Sequence, residues 1–404
     1  MVDQQVYLDQ LKTRNSFYLY EEAGILAAAQ TLQASFPGAQ FLYSMKCNPH
    51  ALVLKAVFSQ SFGADAASLN EVLMARKCGV PRDKIYFSAP GRTEADLRRA
   101  VEDSVVIADS LHEIDLLQRI AAETGAVLDI GLRINPDFTF VADHGVSAKF
   151  GVDEEQVWEQ AGFLTSLPNL RIVGIHVHSK SQELSAAVLE NYHRNMFALA
   201  RRVQERLGVE LQFVNFGSGL GIPFAQTERA LDVAAVGSAF QAMLAEFRQA
   251  FPKTQILIES GRYVVGKSGV YATKVLDKKV SRGKTFLIFH DTLNGFARPA
   301  ITQMVLGFTQ TPFPWEPLFT CKGSEELIPL TRSTETETVT LAGNLCTGVD
   351  VIAKDITLPK MDIGDGLLLT NAGCYAAVMT PMQFASLTPP AQLFLTADGQ
   401  VKEA

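Results

Sequence analysis

The stretch FLYSMKCNPHALVLKAVFSQSFGADA, residues 41–66, decides the fold. Its short apolar run FLYS (41–44) breaks into polar residues, a longer amphipathic run follows, and a second short run, FGADA (62–66), starts the pattern again. Short runs alternating with longer amphipathic ones mark βα units, which place their strands in a parallel sheet. The same texture continues outward through KIYFS (84–88), VVIAD (105–109), VLDIGLRI (127–134), RIVGIHV (171–177), LQFVNF (211–216) and QILIES (255–260). Helical patterns separate these runs. One is SLNEVLMARKCG (68–79), with Ser68 and Glu71 at capping-box spacing; another is the long run 184–208, which stops at Gly208. Eight successive units of this size predict a closed (β/α)8 barrel, and no GxGxxG follows the first strand to recommend an open dinucleotide-binding sheet.

From about residue 265 the texture changes. GVYATKVLDKKV (269–280), KTFLIFHD (284–291), ETVTLAG (337–343) and DGLLLTNAG (365–373) are strand-like runs broken by Gly, Asp and Asn, with little helical periodicity. They predict a mainly antiparallel β domain, a barrel or sandwich, to which SFYLYE (16–21) could add a strand. The expected division is an N-terminal segment 1–35 contributing to the β domain, a barrel over 36–262, and the β domain over 263–404.

The chain's 404 residues suffice for two or three domains, and 47% hydrophobic with 20% charged residues is an ordinary globular balance. A net charge of −7 offers no basic excess for nucleic acid or an anionic membrane, which favours a small-molecule role. Cys47, Cys78, Cys321, Cys346 and Cys374 are odd in number, widely spaced and never in a CxxC pair, so neither a disulfide framework nor a metal site is expected. A reducing, cytoplasmic setting fits. The opening MVDQQVYLDQLKTRN lacks the order of a secretory signal, and Pro381, Pro389 and Pro390 interrupt the uncharged stretch 366–397 too early for a membrane span.

In such a barrel the chemistry sits at the C-terminal ends of the strands. Those ends carry Lys46, Asp65, Arg133 with Asn135, His176 with His178, Gly217-Ser218-Gly219, and Glu259. Burial beside the barrel mouth would disfavour the charged form of Lys46 and leave a nucleophilic amine, although a surface lysine closing a strand has the same spacing. The run NFGSGLGIPF offers backbone amides that could approach a phosphate, or is a plain loop. Glu259 could keep a cofactor ring nitrogen protonated, or be merely solvated. His176 and His178 share a strand face, yet no third ligand suggests a metal. Together, an amine on strand one, a phosphate cradle after strand seven and a carboxylate on strand eight are the parts a pyridoxal 5'-phosphate site needs.

The motifs resemble the fold-type III pyridoxal-phosphate decarboxylases, the family of diaminopimelate and ornithine decarboxylases with an alanine-racemase-like barrel. YSMKCN (43–48) is similar to the family's Schiff-base lysine motif, GADAASLNE (63–71) to its second-strand motif, SAKFGV (147–152) to the fifth-loop segment and GIHVHSKSQ (174–182) to its histidine motif. NFGSGLGI (215–222) resembles the glycine motif with Ser218 in place of a middle glycine, and ESGR (259–262) the Glu-Pro-Gly-Arg motif with Ser260 in place of proline. NGFARPAI (294–301) is similar to the substrate-arginine segment, GNLCTGVD (343–350) to the catalytic-cysteine segment and NAGCYAAVM (371–379) to the late tyrosine motif.

The resemblance implies that Lys46 anchors the cofactor, that Asp65 belongs to its site, that Glu259 pairs with the pyridine nitrogen and that His178 stacks on the ring. Ser181, Gly217, Ser218, Gly219, Arg262 and Tyr375 would hold the phosphate. Arg298 would bind a substrate carboxylate, with Thr347 and Asp350 as further substrate contacts, and Cys346 would serve the proton transfer that follows loss of carbon dioxide. It also implies a head-to-tail homodimer, in which the cysteine segment reaches the facing protomer.

Two departures bear on substrate. Thr347 stands where diaminopimelate decarboxylases carry a glutamate, and Gln383-Phe384 where they carry Tyr-Asn. Arg298 and DTLNG (291–295) argue for a distal acid or carbonyl, so the resemblance is closest to the branch that decarboxylates siderophore precursors or carrier-bound metabolites. The expectation is α-decarboxylation of an amino acid with a distal carboxylate, such as a citryl-diamino acid. The alternatives are a diaminopimelate, ornithine or carboxynorspermidine decarboxylase, an inactive cofactor-binding regulatory paralogue, and a racemase.

Overall fold

The computed structural model describes residues 2–217, 219–224, 228–308 and 323–403. Strand β1 (Ser16–Glu21) precedes the barrel strands β2 (Ala39–Ser44), β3 (Gly63–Ala66), β4 (Ile85–Phe87), β5 (Val105–Ala108) and β6 (Leu128–Asn135). After the two-residue β7 (Val152–Asp153) come β8 (Leu170–His176), β9 (Phe213–Asn215) and β10 (Gln255–Ser260). The parallel order β5-β4-β3-β2-β10-β9-β8-β6 closes through a β5–β6 pairing, with β7 appended to β6. The eight sequence runs are these eight strands. Ser68 caps its helix as the spacing predicts, accepting from Glu71 N at 3.2 Å, while the Glu71 carboxylate reaches Ala67 N. Gly208 ends the long helix with a left-handed φ of 65°.

Phe213 fills the barrel interior. A Cβ on Gly174 would lie 2.3 Å from its ring and one on Gly131 2.9 Å from it, so both positions need glycine. Leu42, Tyr86, Ile107, Val173 and Leu257 pack around the same ring and plug the cylinder, each burial stabilising by about 1.5–3 kcal/mol. Because strand side chains alternate, the residues two positions farther along stand directly above this plug, at the C-terminal mouth.

The second domain is a curled, mostly antiparallel sheet. It contains β11 (Gly269–Ser281), β12 (Lys284–Phe289), β13 (Leu327–Leu330), β14 (Thr336–Gly343), β15 (Val351–Pro359), β16 (Gly366–Leu369), β17 (Ala391–Leu395) and β18 (Val401–Glu403). β1 joins it between β11 and β17, as SFYLYE suggested; the β1–β17 and β12–β14 pairings are parallel. Phe17 and Leu19 face the β domain's own core with Tyr7, Leu11 and Leu393, while Tyr18 and Tyr20 face the large core shared with the barrel. The expected N-terminal segment therefore splits. β1 goes to the β domain, whereas helix Glu22–Ser35 lies against a barrel helix so closely that a Cβ on Gly237 would sit 2.1 Å from Ser35 O. A helix, Arg298–Leu306, interrupts the region expected to lack helical periodicity.

Candidate active site

The polar layer above the plug is the site. Ser44, Ser88, Arg133 and Asn215 stand two residues beyond Leu42, Tyr86, Gly131 and Phe213. Asp65, Asp109, His176 and Glu259 do the same beyond Gly63, Ile107, Gly174 and Leu257. All eight are buried. Ser44, Ser88, Arg133, His176 and Glu259 of this layer line a cavity of about 920 Å³, together with Lys46, His178, Ser181, Arg262 and Tyr375.

Lys46 sits in the 3-10 turn Met45–Cys47 that leaves β2, and its ammonium donates to Asp65 Oδ2 at 3.0 Å. The Ser88 hydroxyl holds the other carboxylate oxygen at 3.4 Å. Desolvation opposes the charge of Lys46, but the fields of Asp65 and Glu259 outweigh it and raise its pKa above the ordinary lysine value. This corrects the expectation of an amine neutralised by burial: facing Asp65, Lys46 is an ammonium ion.

Glu259 is 2% exposed. Asn215 Nδ2 donates to its Oε1 at 3.0 Å, His176 Nε2 lies 3.1 Å from the same oxygen, and His178 Nδ1 lies 3.8 Å from Oε2. Burial alone would favour the neutral acid, yet His176, Lys46 and His178 reverse this and hold the carboxyl far below its usual range. Burial pushes His178 down to about 3, with Lys46 and Arg133 adding to the effect and Glu259 opposing it, so the imidazole is neutral. Asn215 also accepts from Gly217 N at 2.9 Å, and Glu259 N donates to Gly217 O at 2.7 Å. The carboxylate and the glycine turn are thereby locked together. Gly217 has a φ of 60°, and a Cβ there would meet Val177 O at 2.4 Å.

At the other side of the cavity, Arg262 stacks on Tyr375, 5.0 Å from the ring centroid, and on Phe224 at 5.4 Å. The β domain delivers Tyr375 here: its N–H donates to Cys47 O at 2.9 Å, and Asn48 Nδ2 donates to Gly373 O at 2.9 Å. Both contacts tie NAGCYAAVM to the turn that carries Lys46. Gly219, with a φ of 140°, follows the turn; Ser218 lies outside the described residues.

The structure does not bring every expected residue to the cavity. Arg298 is 1% exposed, donates to Asn371 O and Cys374 O at 3.0 Å each, and stacks on Phe296 and Phe224. Its guanidinium is engaged by backbone carbonyls outside the lining of the cavity. Cys346 is exposed on the loop after β14, away from the cavity of its own chain. Asp350 is buried, and its carboxylate accepts from Leu293 N at 2.9 Å, Leu345 N at 3.0 Å and the Thr292 hydroxyl. Thr347 contributes its carbonyl to Asp350 N at 3.3 Å. Within one chain these residues build a loop, not a pocket. Conversely, the sequence reading gave no role to Arg133, Asp109 and Asn215. Arg133, named there only as a strand-end residue, lies 3.4 Å from Asp109 and stacks on Phe150 at 4.5 Å, and two-residue alternation from the plug would have found Asp109 and Asn215.

The site fits pyridoxal phosphate. It has a lysine, an ionised carboxylate facing the same cavity, a glycine turn without room for a side chain, and a buried Ser179 hydroxyl lining the cavity without a hydrogen-bond partner. Among the described residues no cluster of three or more His, Cys, Asp or Glu could hold a metal ion, and no helix is long and apolar enough to cross a membrane.

The family model for the pyridoxal-binding domain of pyridoxal-dependent decarboxylases matches residues 22–266. The L-glutamyl-[BtrI acyl-carrier protein] decarboxylase of Niallia circulans is 30% identical over 385 residues, covering 93% of this chain and 88% of its own. The 2-[(L-alanin-3-ylcarbamoyl)methyl]-2-hydroxybutanedioate decarboxylase of Staphylococcus aureus is 27% identical over 412 residues, covering 99% and 98%. In fold, the chain superposes on the diaminopimelate decarboxylase of Helicobacter pylori complexed with L-lysine with a TM-score of 0.83 at 24% identity, over 98% of this chain and 95% of that one.

Proposed function

We propose, from the premise that this chain belongs to the pyridoxal-dependent decarboxylases and is a pyridoxal-phosphate amino acid decarboxylase, that its substrate carries a carboxylate at the end distal to the reacting carbon. A citryl-diamino acid of the kind used in carboxylate siderophore assembly has this character. The observation that carries the reading is the charge of the cavity. Lys46, Arg133, Lys180 and Arg262 line it, against a single lining carboxylate among the described residues, Glu259, which Asn215 and His176 already engage. No lining acid of this chain remains to receive a distal ammonium, as a diaminopimelate, ornithine or lysine substrate would require. The Staphylococcus relative is named for a hydroxybutanedioate, which keeps carboxylates far from the reacting carbon, and this agrees with an acidic substrate; the Niallia relative is named for a glutamyl carrier conjugate, whose distal end is an acyl carbonyl.

Lys46 would anchor the cofactor, Glu259 would face its ring nitrogen and His178 its ring. Gly217, Ser218, Gly219, Ser181, Arg262 and Tyr375 would hold its phosphate. Pyridoxal phosphate, when bound, supplies an electron sink for the pair released as the bond from Cα to the carboxylate breaks. The chain's own contribution is electrostatic and positional. Asp65 would hold the Lys46 amine in position. Glu259 stays anionic and His178 neutral at pH 7, because their surroundings push both pKa values down. The proton donor to Cα would be Cys346 of the partner subunit. Its exposed loop, with exposed Val349 beside it and exposed Val378, Met379 and Phe384 in the segment that reaches the mouth, supports a head-to-tail homodimer.

Carbon dioxide release from a panel of amino acids tests the reading. A citryl-linked 2,3-diaminopropionate or an L-glutamyl derivative should exceed diaminopimelate, ornithine and lysine by at least about tenfold in kcat/KM, the equivalent of one charge-assisted contact. Preference for ornithine or lysine, which lack a distal carboxylate, would overturn it; preference for diaminopimelate, which has one, would overturn the exclusion of a distal ammonium.

A further inference from the structure

Lys180 lines the cavity on the segment that leaves β8, three residues before Glu183. Its ammonium donates to Glu183 Oε2 at 3.0 Å. Glu183 is itself fixed: its Oε1 accepts from Leu184 N at 3.0 Å and Ser185 N at 2.8 Å, its N–H donates to Gly219 O at 2.7 Å, and its carbonyl accepts from Gly221 N at 3.0 Å. The lysine head is thus tethered to the same glycine turn that abuts Glu259. An ammonium has three N–H donors, and Glu183 takes one. The Lys180 side chain remains one-quarter exposed, toward the cavity that it lines.

The other lining cations are otherwise engaged. Lys46 faces Asp65, Arg133 faces Asp109 beneath the Phe150 ring, and Arg262 stacks between Phe224 and Tyr375. Lys180 combines remaining donor capacity with a flexible four-carbon stem, the properties needed to meet an anionic group whose distance from Cα varies with the substrate. We propose that Lys180 reads the distal carboxylate of the substrate and is the specificity-determining residue of this chain, with Glu183 as its positioning residue. The assignment rests on the acidic-substrate reading above.

The test uses the cofactor-loaded enzyme and glutarate as a two-carboxylate probe, with butyrate as its one-carboxylate control. Titration calorimetry on Lys180→Gln should show glutarate binding at least about tenfold weaker than wild type and butyrate binding within about threefold, the loss expected for one charge-assisted hydrogen bond. Lys180→Arg should restore most of the difference. Pyridoxal phosphate affinity, followed by absorbance, should not change. With the best distal acid of the panel, Lys180→Gln should raise KM and leave kcat within about threefold. Unchanged glutarate binding in Lys180→Gln, in a wild type that does turn over distal acids, overturns the role of Lys180 and leaves the acidic-substrate reading standing. So does a loss confined to cofactor affinity, which would place Lys180 on the phosphate. A wild type that prefers ornithine or lysine overturns both.

Discussion

The mouth of the barrel and the loop around Cys346 carry the residues expected to act, yet they are built on different principles. At the mouth, each functional side chain is held by another from the same cylinder: Lys46 by Asp65, Glu259 by Asn215 and His176, and Arg133 by Asp109. Around Cys346, the loop is braced against the segment that follows β12. Asp350 turns inward to gather Leu293, Leu345 and Thr292, and the cysteine is left facing outward. The first region is complete in one chain. The second is a rigid projection whose use requires something to project into.

The largest expected effect separates the two regions directly. Lys46→Ala should lower kcat/KM by about 10³-fold or more and abolish the visible absorbance of the cofactor-loaded protein, while Cys346→Ala should keep the absorbance and lose turnover. If the loop serves the facing chain, mixing the two inactive variants should restore about a quarter of wild-type activity, since half the dimers then hold one intact site of two. Lack of recovery despite subunit exchange would place both residues in one chain's site and break the comparison.

A smaller effect concerns Asp350. Replacing it with alanine leaves Leu293 N and Leu345 N without their buried acceptor, and should cost roughly 2–4 kcal/mol in denaturant unfolding with cofactor affinity retained. A substrate contact would instead leave stability unchanged and raise KM.

The smallest effect lies behind the glycine turn. His193 is enclosed by Phe36, Phe216 and Phe240, and burial pushes its pKa down from about 6.5 to about 3. Between these values the unfolded chain binds more protons than the folded one, so stability rises with pH across the window and is lost on acidification from about 6.5 toward 3. His193→Phe removes that linkage. Its melting temperature should fall less than that of wild type between pH 7 and pH 5, about three-quarters of this span lying within the window; an identical slope would show that His193 is not held neutral.

The sequence reading located all eight barrel strands to within about two residues at either end, the uncertainty usual for helix and strand boundaries. It placed Lys46, His178 and Glu259 around one cavity, with Asp65 against Lys46, for the same reason: a strand end is fixed by local periodicity, and the barrel topology then brings the ends together. It misjudged the charge of Lys46, because that depends on a carboxylate 19 residues away that the pairing of β2 with β3 sets beside it. Asn215 was passed over although it opens the glycine run, since its contact with Glu259 spans 44 residues.

Sequence alone determined the cylinder, its cofactor end and the family, because alternation of apolar and polar residues is written locally along each strand. Tertiary structure decided which of the charged groups are free. Arg298 is spent on carbonyls of the β domain, Asp350 on its own loop and the segment after β12, and Lys180, held by Glu183, lines the cavity. Hydrogen-bond capacity is a property of what surrounds a group after packing, and no local pattern of residues records it.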